Sequence, residues 1–217
     1  MVFACKVSTN LDQVIALEVV LPNGGQLEVG DTLLPSARAL NGHGDTITTD
    51  IFWVTLDTTI ITVLDSTTGA TLGDLIGQGR LEARVGLLTS NPQTVTVITH
   101  LDSVLPAAPV LTRDTIILSQ ADTISDSLRV QLFASPALAV GRRVVFSATT
   151  FPASDPLVTL VPKDTIFSSG TGLAATQVRR PAGGTLPDSV VVSATVQRPD
   201  GTPIPGSPVI FVVEFRP

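Results

Sequence analysis

The sequence predicts an all-β protein that folds as two tandem β-sandwiches. Short segments in which apolar and polar residues alternate recur along the whole chain, and turn signals rich in Gly, Pro, Asn and Asp separate them. Thr, Val and Ile are abundant, and their branched Cβ atoms suit a pleated strand. The chain has 217 residues, which is enough for two sandwiches of about 100 residues each.

The first half of the chain contains seven segments with this strand pattern. Turns such as Pro22-Asn-Gly-Gly25 and Asn41-Gly-His-Gly44 separate them. The third segment carries Trp53, the only tryptophan, which we expect to be buried between the two sheets. The predicted strands are 13–21, 32–40, 46–55, 59–63, 70–75, 79–85 and 94–99.

A proline-rich segment predicts the boundary between the two domains. Two prolines around two alanines, in Leu105-Pro-Ala-Ala-Pro109, indicate a short and stiff linker. Beyond it the alternation restarts, with predicted strands at 115–118, 126–134, 142–150, 157–161, 172–179, 189–197 and 209–215. The predicted organisation is an N-terminal tether at 1–13, a first domain at 14–104, the linker at 105–109 and a second domain at 110–217.

Three segments of the first half resemble a bacterial Ig-like domain of group 2. They are Trp53-Val-Thr-Leu-Asp-Thr-Thr-Ile-Ile-Thr-Val63, Gly69-Ala-Thr-Leu-Gly73 and Gly79-Arg-Leu-Glu-Ala-Arg-Val-Gly86. That family has a strand tryptophan, a Val-Asp-x-x-Gly turn and a Gly-x-x-x-Ile-x-Ala strand. This sequence departs from the pattern at Leu64, which follows Val63, and at Glu82, which stands near a usually small or aliphatic position. The resemblance covers residues 14–100 and implies an immunoglobulin-like sandwich.

The second half is similar, more loosely, to the group 1 or invasin-like relatives of that family. The similarity lies in 128–145, in Ser169-Gly-Thr-Gly-Leu-Ala-Ala175 and in the strand at 189–196. It implies a second immunoglobulin-like sandwich and a place in the bacterial cell envelope, and it implies no particular ligand.

The charge composition excludes one class of partner and indicates another. Charged residues make up 15% of the chain, against about 25% in a typical soluble domain. The net charge of −6 and the scattered basic residues argue against nucleic-acid binding. Because interface cores are depleted of charge, the deficit predicts that one face is covered in a stable assembly, although Thr-rich secreted β proteins also replace charge with hydroxyl groups.

The residue types that usually carry catalysis form no recognisable constellation. His43 and His100 stand outside any zinc-binding spacing. We interpret the aspartate pairs Asp45/Asp50 and Asp122/Asp126 as turn caps and not as acid/base pairs. We therefore predict no enzymatic activity, no catalytic residue and no cofactor.

Two further sequence features bear on ligand binding. Gly170-x-Gly172-x-x-Ala175 matches the dinucleotide-binding string, but the residues that follow are too β-like to form the helix that such a site needs. Asp102 and Asp114 flank the predicted linker and leave open whether calcium stiffens the junction, although two carboxylates supply few ligands. We predict no bound metal.

The N-terminal residues Val2-Phe-Ala-Cys5 resemble the end of a lipoprotein signal. The resemblance implies that Cys5, the only cysteine, is a lipid attachment site and that residues 6–13 form a polar tether. The basic and apolar stretches that usually precede such a cysteine are missing. A chance tetrapeptide behind the initiator methionine is the alternative.

Together these features predict a non-enzymatic structural or protein-interaction subunit of the bacterial cell envelope. We expect it to be periplasmic or on the cell surface, to associate peripherally with the membrane through lipid, and to dock on a membrane-anchored protein complex. The alternative is an adhesin-like module that presents its loops to an external ligand.

Overall fold

A computed structural model describes residues 10–110, 112–117, 123–135, 138–153, 158–180 and 187–216. Within these ranges the regular structure is twenty strands and one short 3₁₀ turn, which confirms the all-β prediction. No helix among the described residues has the length and hydropathy to span a membrane. The chain divides into two compact units, Met1–Ile98 and Thr99–Pro217.

The first unit contains eleven strands within its described part. They are β1 (Val14–Val20), β2 (Gln26–Glu28), β3 (Thr32–Leu33), β4 (Ser36–Asn41), β5 (Thr46–Ile47), β6 (Phe52–Thr55), β7 (Ile61–Asp65), β8 (Ala70–Gly73), β9 (Gly77–Val85), β10 (Leu88–Thr89) and β11 (Gln93–Ile98). The 3₁₀ turn Pro22–Gly25 connects β1 to β2.

Proline breaks one layer of the first unit into two ladders. The predicted strand 32–40 is split at Leu34 and Pro35 into β3 and β4, because proline has no N–H to donate to a neighbouring strand. β4 pairs with β1 and β5, and β3 pairs with β8, which continues to β7. Joined across the break, these strands correspond to the A, B, E and D strands of an immunoglobulin-like sandwich.

The opposite layer of the first unit corresponds to strands C, F and G. β9 pairs with β6 and β11, and β11 pairs in parallel with β2. The two layers enclose a core in which alternate residues of β9 and β11 point inward. The buried core residues are Leu27, Leu33, Trp53, Ile61, Leu81, Ala83, Val95 and Val97.

The second unit has the same arrangement, with both layers continuous. Its strands are β12 (His100–Pro106), β13 (Arg113–Ile117), β14 (Leu128–Ser135), β15 (Arg143–Phe151), β16 (Thr159–Val161), β17 (Thr165–Phe167), β18 (Leu173–Arg179), β19 (Ser189–Val196) and β20 (Val209–Arg216). One sheet has the order β12-β14-β18-β16 and the other has the order β13-β20-β19-β15-β17. These orders match the ABED and GFC sheets of the immunoglobulin fold, and β13 runs parallel to β20.

The core of the second unit lies between these two sheets. Every second residue of β19, from Val190 to Val196, is buried, so the intervening residues face outward. Phe146 and Phe211 are the largest buried side chains of this core. The largest side chains of the second core are therefore phenylalanines, whereas the first core contains Trp53.

The structure corrects the predicted boundary between the units. Leu105 and Pro106 are not in a linker but belong to β12, which pairs with β14 and buries Leu101 and Val104 completely. β12 is an edge strand, and an edge position tolerates the missing N–H of proline. The division falls between Ile98 and Thr99, and residues 99–104 belong to the second unit.

Candidate functional site

The outer surface of the GFC sheet of the second unit is the first candidate site, and we call it the GFC face. It consists of the residues of β13, β15, β17, β19 and β20 whose side chains point away from the core. On β15, for example, Val144, Phe146 and Thr150 are buried, so Val145 and Thr149 point outward. This alternation follows from the hydrophobic pattern of each strand and fixes which residues share the face.

The centre of the GFC face carries no charge. The strand register places Ser147, Ser193 and Ile210 in one row across three strands. The next row contains Thr149, Val191 and Val212, and Val145 lies beside Thr195. Branched aliphatic and hydroxyl side chains therefore fill these rows, whereas the charged residues of the three central strands lie near the strand ends.

Two exposed phenylalanines border this uncharged centre. Phe151 is the last residue of β15 and is 49% exposed, and Phe167 lies on β17 opposite Arg143 and is 63% exposed. Phenylalanine is usually buried in folded proteins, and aromatic residues are enriched where proteins meet. Among the strand residues that the structure describes on this side, the border therefore combines two phenylalanines with the cation Arg143.

The opposite border is charged. A nitrogen of Arg216 lies 2.5 Å from a carboxylate oxygen of Glu214, and Arg113 lies 3.7 Å from the other oxygen. The hydrogen bond from Arg216, and the charges of Arg216 and Arg113, lower the pKa of Glu214 below its usual value. With Arg143, the outward residues of the five described strands include three cations and one carboxylate, so these strands carry a net positive charge although the chain as a whole is acidic.

The corresponding layer of the first unit is different. Arg80 and Arg84 are outward residues of β9, and Glu82 between them is only 9% exposed and lies 3.3 Å from Arg84. Arg80 donates to both carboxylate oxygens of Asp57, at 2.8 and 3.0 Å, and these bonds lower the pKa of Asp57. The central strand of this layer therefore carries charged side chains in the first unit, whereas the central rows of the GFC face are uncharged. The uncharged centre is a feature of the second unit alone.

A cleft of about 440 Å³ in the first unit is the second candidate site. It lies where β4 begins after the break at Pro35, beside residues 49–53 and the turn between β7 and β8. Its lining combines hydroxyl groups, one carboxylate and apolar side chains, namely Pro35, Ser36, Ala37, Thr49, Asp50, Ile51, Phe52, Trp53, Thr67 and Thr68. The volume lies within the range of small-ligand sites.

Trp53 lines this cleft, and Asp65 caps the turn that carries the lining residues Thr67 and Thr68. The Trp53 side chain is 4% exposed, and its backbone N–H donates to Ser66 O at 2.8 Å. Asp65 accepts hydrogen bonds from Thr67 and Thr68, which lower its pKa to about 2. Because this pKa is lowered, the stabilisation by the Asp65 cap is fully present above the usual aspartate pKa. It is lost as the pH falls through about 2, where the carboxylate becomes protonated in the folded protein. The prediction that Trp53 lies in the core is confirmed.

The two histidines occupy separate environments. His43 Nε2 lies 3.9 Å from a carboxylate oxygen of Asp12, and both side chains are exposed. The ring of His100 contacts Arg198 at 3.1 Å, and His100 begins β12 instead of ending a strand. Neither contact pairs a histidine with a nucleophile.

The aspartates singled out in the sequence as turn caps or calcium ligands occupy different environments. Asp114, a candidate calcium ligand, accepts from the backbone N–H groups of Thr115 and Asp126 at 2.8 and 2.7 Å. Asp102 lies exposed on β12, and Asp50 lines the cleft. Asp122 and Cys5 lie outside the described residues. Asp114 therefore caps backbone N–H groups, a role that the sequence analysis did not predict for it.

The glycine string of the second half forms a turn and not a nucleotide site. Gly172 has a φ of +77°, and a Cβ there would lie 2.7 Å from Leu132 O. The strand β18 follows directly, so no helix N-terminus is available for a pyrophosphate. The interpretation as a β-turn is confirmed.

No protein-family model matches this sequence, and no curated protein matches it. The adhesin InvE of Yersinia pseudotuberculosis is similar with 19% identity and a TM-score of 0.42, over 92% of this chain and 60% of that chain. Domains 4 and 5 of the S-layer protein SbsC are similar with 15% identity and a TM-score of 0.35, over 94% of this chain and 100% of theirs. The chain thus spans about 60% of the InvE structure. The immunoglobulin-like assignment rests on strand order and pairing, and the resemblance to groups 1 and 2 stays a prediction.

Proposed function

We propose that this protein is a non-enzymatic, extracytoplasmic interaction subunit that docks on a membrane-anchored complex of the bacterial cell envelope. The observation that carries this proposal is the exposure of its aromatic residues. On the second unit, Phe151 is 49% exposed and Phe167 is 63% exposed. Side chains of this type stabilise a protein when a partner removes them from water.

Co-purification from native membranes tests this proposal. We expect the protein to remain with a defined set of partners through a wash in about 0.5 M salt, where exposed ion pairs are largely screened. Apolar contacts weaken little under these conditions, so retention indicates an apolar interface. Recovery of the protein alone, under gentle extraction in low salt, would contradict the proposal.

Cys5 supplies the proposed membrane attachment. One acyl chain gives only marginal binding, so several chains or a protein partner must hold the subunit at the membrane. Mass spectrometry of the membrane-extracted protein is expected to find an N-terminal Cys5 that carries lipid. An unmodified Met1 in the native host would exclude this attachment.

An adhesin-like role is the second candidate function, and the cleft of the first unit favours it. Ser36, Thr49 and Asp50 line the cleft beside the apolar Ile51 and Pro35. A ligand with both polar and apolar groups would suit such a lining. Binding of an external ligand by the purified protein, without any membrane partner, would distinguish this role from docking.

A further inference from the structure

We infer that the GFC face of the second unit is the docking surface, and that its partner is a protein with an uncharged centre and an acidic rim. This inference rests on the proposed docking function and assigns it a place and a chemistry. It is drawn from three features of the face: the uncharged rows of its centre, the aromatic residues at one border and the positive charge of its rim.

The free-energy cost of removing the centre of the face from water is small, because its rows hold no charged group. Transfer of a charge out of water costs several kcal/mol unless a partner is placed accurately against it. The rows Ser147–Ser193–Ile210 and Thr149–Val191–Val212 contain only hydroxyl and aliphatic groups. A protein surface can therefore cover these two rows without leaving a buried charge.

The size of the face suits the centre of a stable interface. Its central strands have eight or nine residues. Strands about 4.8 Å apart, with about 3.4 Å per residue, give five strands an area on the order of 500 Å². A stable interface buries about 800 Å² on each partner, so the loops around the sheet must add the remainder.

The aromatic border supplies anchors for the partner. Phe167 and Phe151 lie on the same outward side as Val145 and Thr149, at the edge of the uncharged rows. A few large side chains usually carry most of the binding free energy of an interface. Phe133 is also exposed, but it lies on β14 in the other sheet, among the outward residues Arg129 and Gln131.

The positive charge of the rim indicates which kind of partner can dock on the face. Arg113, Arg143 and Arg216 outnumber Glu214, so the rim attracts acidic groups. A second copy of the chain, docked face to face, would bring two positive rims together, which charge repulsion disfavours. A different protein, with acidic residues around an uncharged patch, is therefore the expected occupant.

Matched substitutions in the full-length protein, expressed in the native host, test this inference. Val191→Lys places a charge in the centre, and Phe167→Ala removes an anchor. Thr96→Lys lies on the outward side of the same layer in the first unit, and Phe133→Ala removes an exposed phenylalanine from the opposite sheet. Sedimentation of detergent-solubilised membranes then compares the assembled fraction of each variant with that of the wild type.

We expect Val191→Lys and Phe167→Ala each to reduce the ratio of assembled to free protein by about tenfold or more. Thr96→Lys and Phe133→Ala are expected to leave this ratio unchanged. Arg143→Glu is expected to weaken the assembly at low salt, because it places a carboxylate opposite the acidic rim of the partner.

Three results would overturn the inference. Equal loss from all four variants, or retention of Val191→Lys and Phe167→Ala, would place the docking surface elsewhere and leave the proposed function intact. Assembly of the purified chain into a dimer near twice 22.6 kDa, lost only in Val191→Lys and Phe167→Ala, would make a second copy the occupant. A wild-type protein that sediments alone would contradict the proposed function itself. Preserved circular dichroism and cooperative unfolding confirm that each variant is folded.

Discussion

Replacement of Trp53 by alanine is expected to destabilise the first unit by about 3–5 kcal/mol. The indole is almost completely buried, pairs across the sheet with Ala83 and packs against Gly69. Its removal leaves a cavity that surrounding strands can fill only in part. Denaturant unfolding of the first unit, followed by circular dichroism, measures this loss.

The neighbouring Phe52→Ala is the control for this prediction. Phe52 is adjacent on β6 but 45% exposed, so its replacement is expected to change the free energy of unfolding by less than about 1 kcal/mol. The fluorescence of wild-type Trp53 is expected to be shifted to shorter wavelengths than that of free indole. A water-like emission maximum, or equal effects of the two substitutions, would show that Trp53 is not in the core.

Separation of the chain after Ile98 is expected to leave a second fragment, 99–217, that unfolds cooperatively. A fragment that starts at residue 108 lacks β12 and with it the fully buried Leu101 and Val104. Each buried aliphatic side chain stabilises the fold by about 1.5–3 kcal/mol. The loss of these two side chains alone amounts to about 3–6 kcal/mol, which is much of the stability of a typical domain, and the ladder to β14 is lost in addition.

Chemical denaturation of the two fragments distinguishes the observed boundary from the predicted linker. The fragment 99–217 is expected to have a higher denaturation midpoint than 108–217, which is expected to be largely unfolded. Equal midpoints for both fragments would mean that β12 contributes nothing to the second unit.

The strand pattern predicted most of the fold because alternation records which side of a sheet is buried. It placed Trp53 correctly, and the turn motif around it has a physical cause. Asp65 caps the turn, and Gly69 has a φ of +78° with a Cβ position 2.8 Å from two atoms of the Trp53 ring. Glycine is therefore required where this turn meets the buried indole.

The predicted domain boundary was wrong because β12 ends in a proline-containing sequence that is typical of a linker. Leu105 and Pro106 lie at the end of an edge strand, and pairing with β14, which no local pattern records, determines their structure. The segment 46–55 was predicted as one strand, whereas the structure has β5 and β6 with residues 48–51 between them. Pro35 was a visible signal for the break in strand 32–40, since proline interrupts a ladder.

Neither the GFC face nor the cleft could be predicted from the sequence alone. The charge deficit of the sequence is a property of the whole chain, whereas the uncharged centre of the GFC face depends on the register of three strands. Thr149, Val191 and Val212 are distant in the sequence and become neighbours only through the pairing of β15, β19 and β20. The cleft likewise combines residues from three separate segments.

Photo-crosslinking from the GFC face is the most direct test of the docking function. A photoreactive amino acid replaces Val191 in one variant and Thr96 in another, and both are expressed in the native host and irradiated in intact cells. We predict that the Val191 position forms a covalent adduct with one defined envelope protein, with a mass above the 22.6 kDa of the chain, and that the Thr96 position does not. No adduct from Val191, or the same adducts from both positions, would contradict the account.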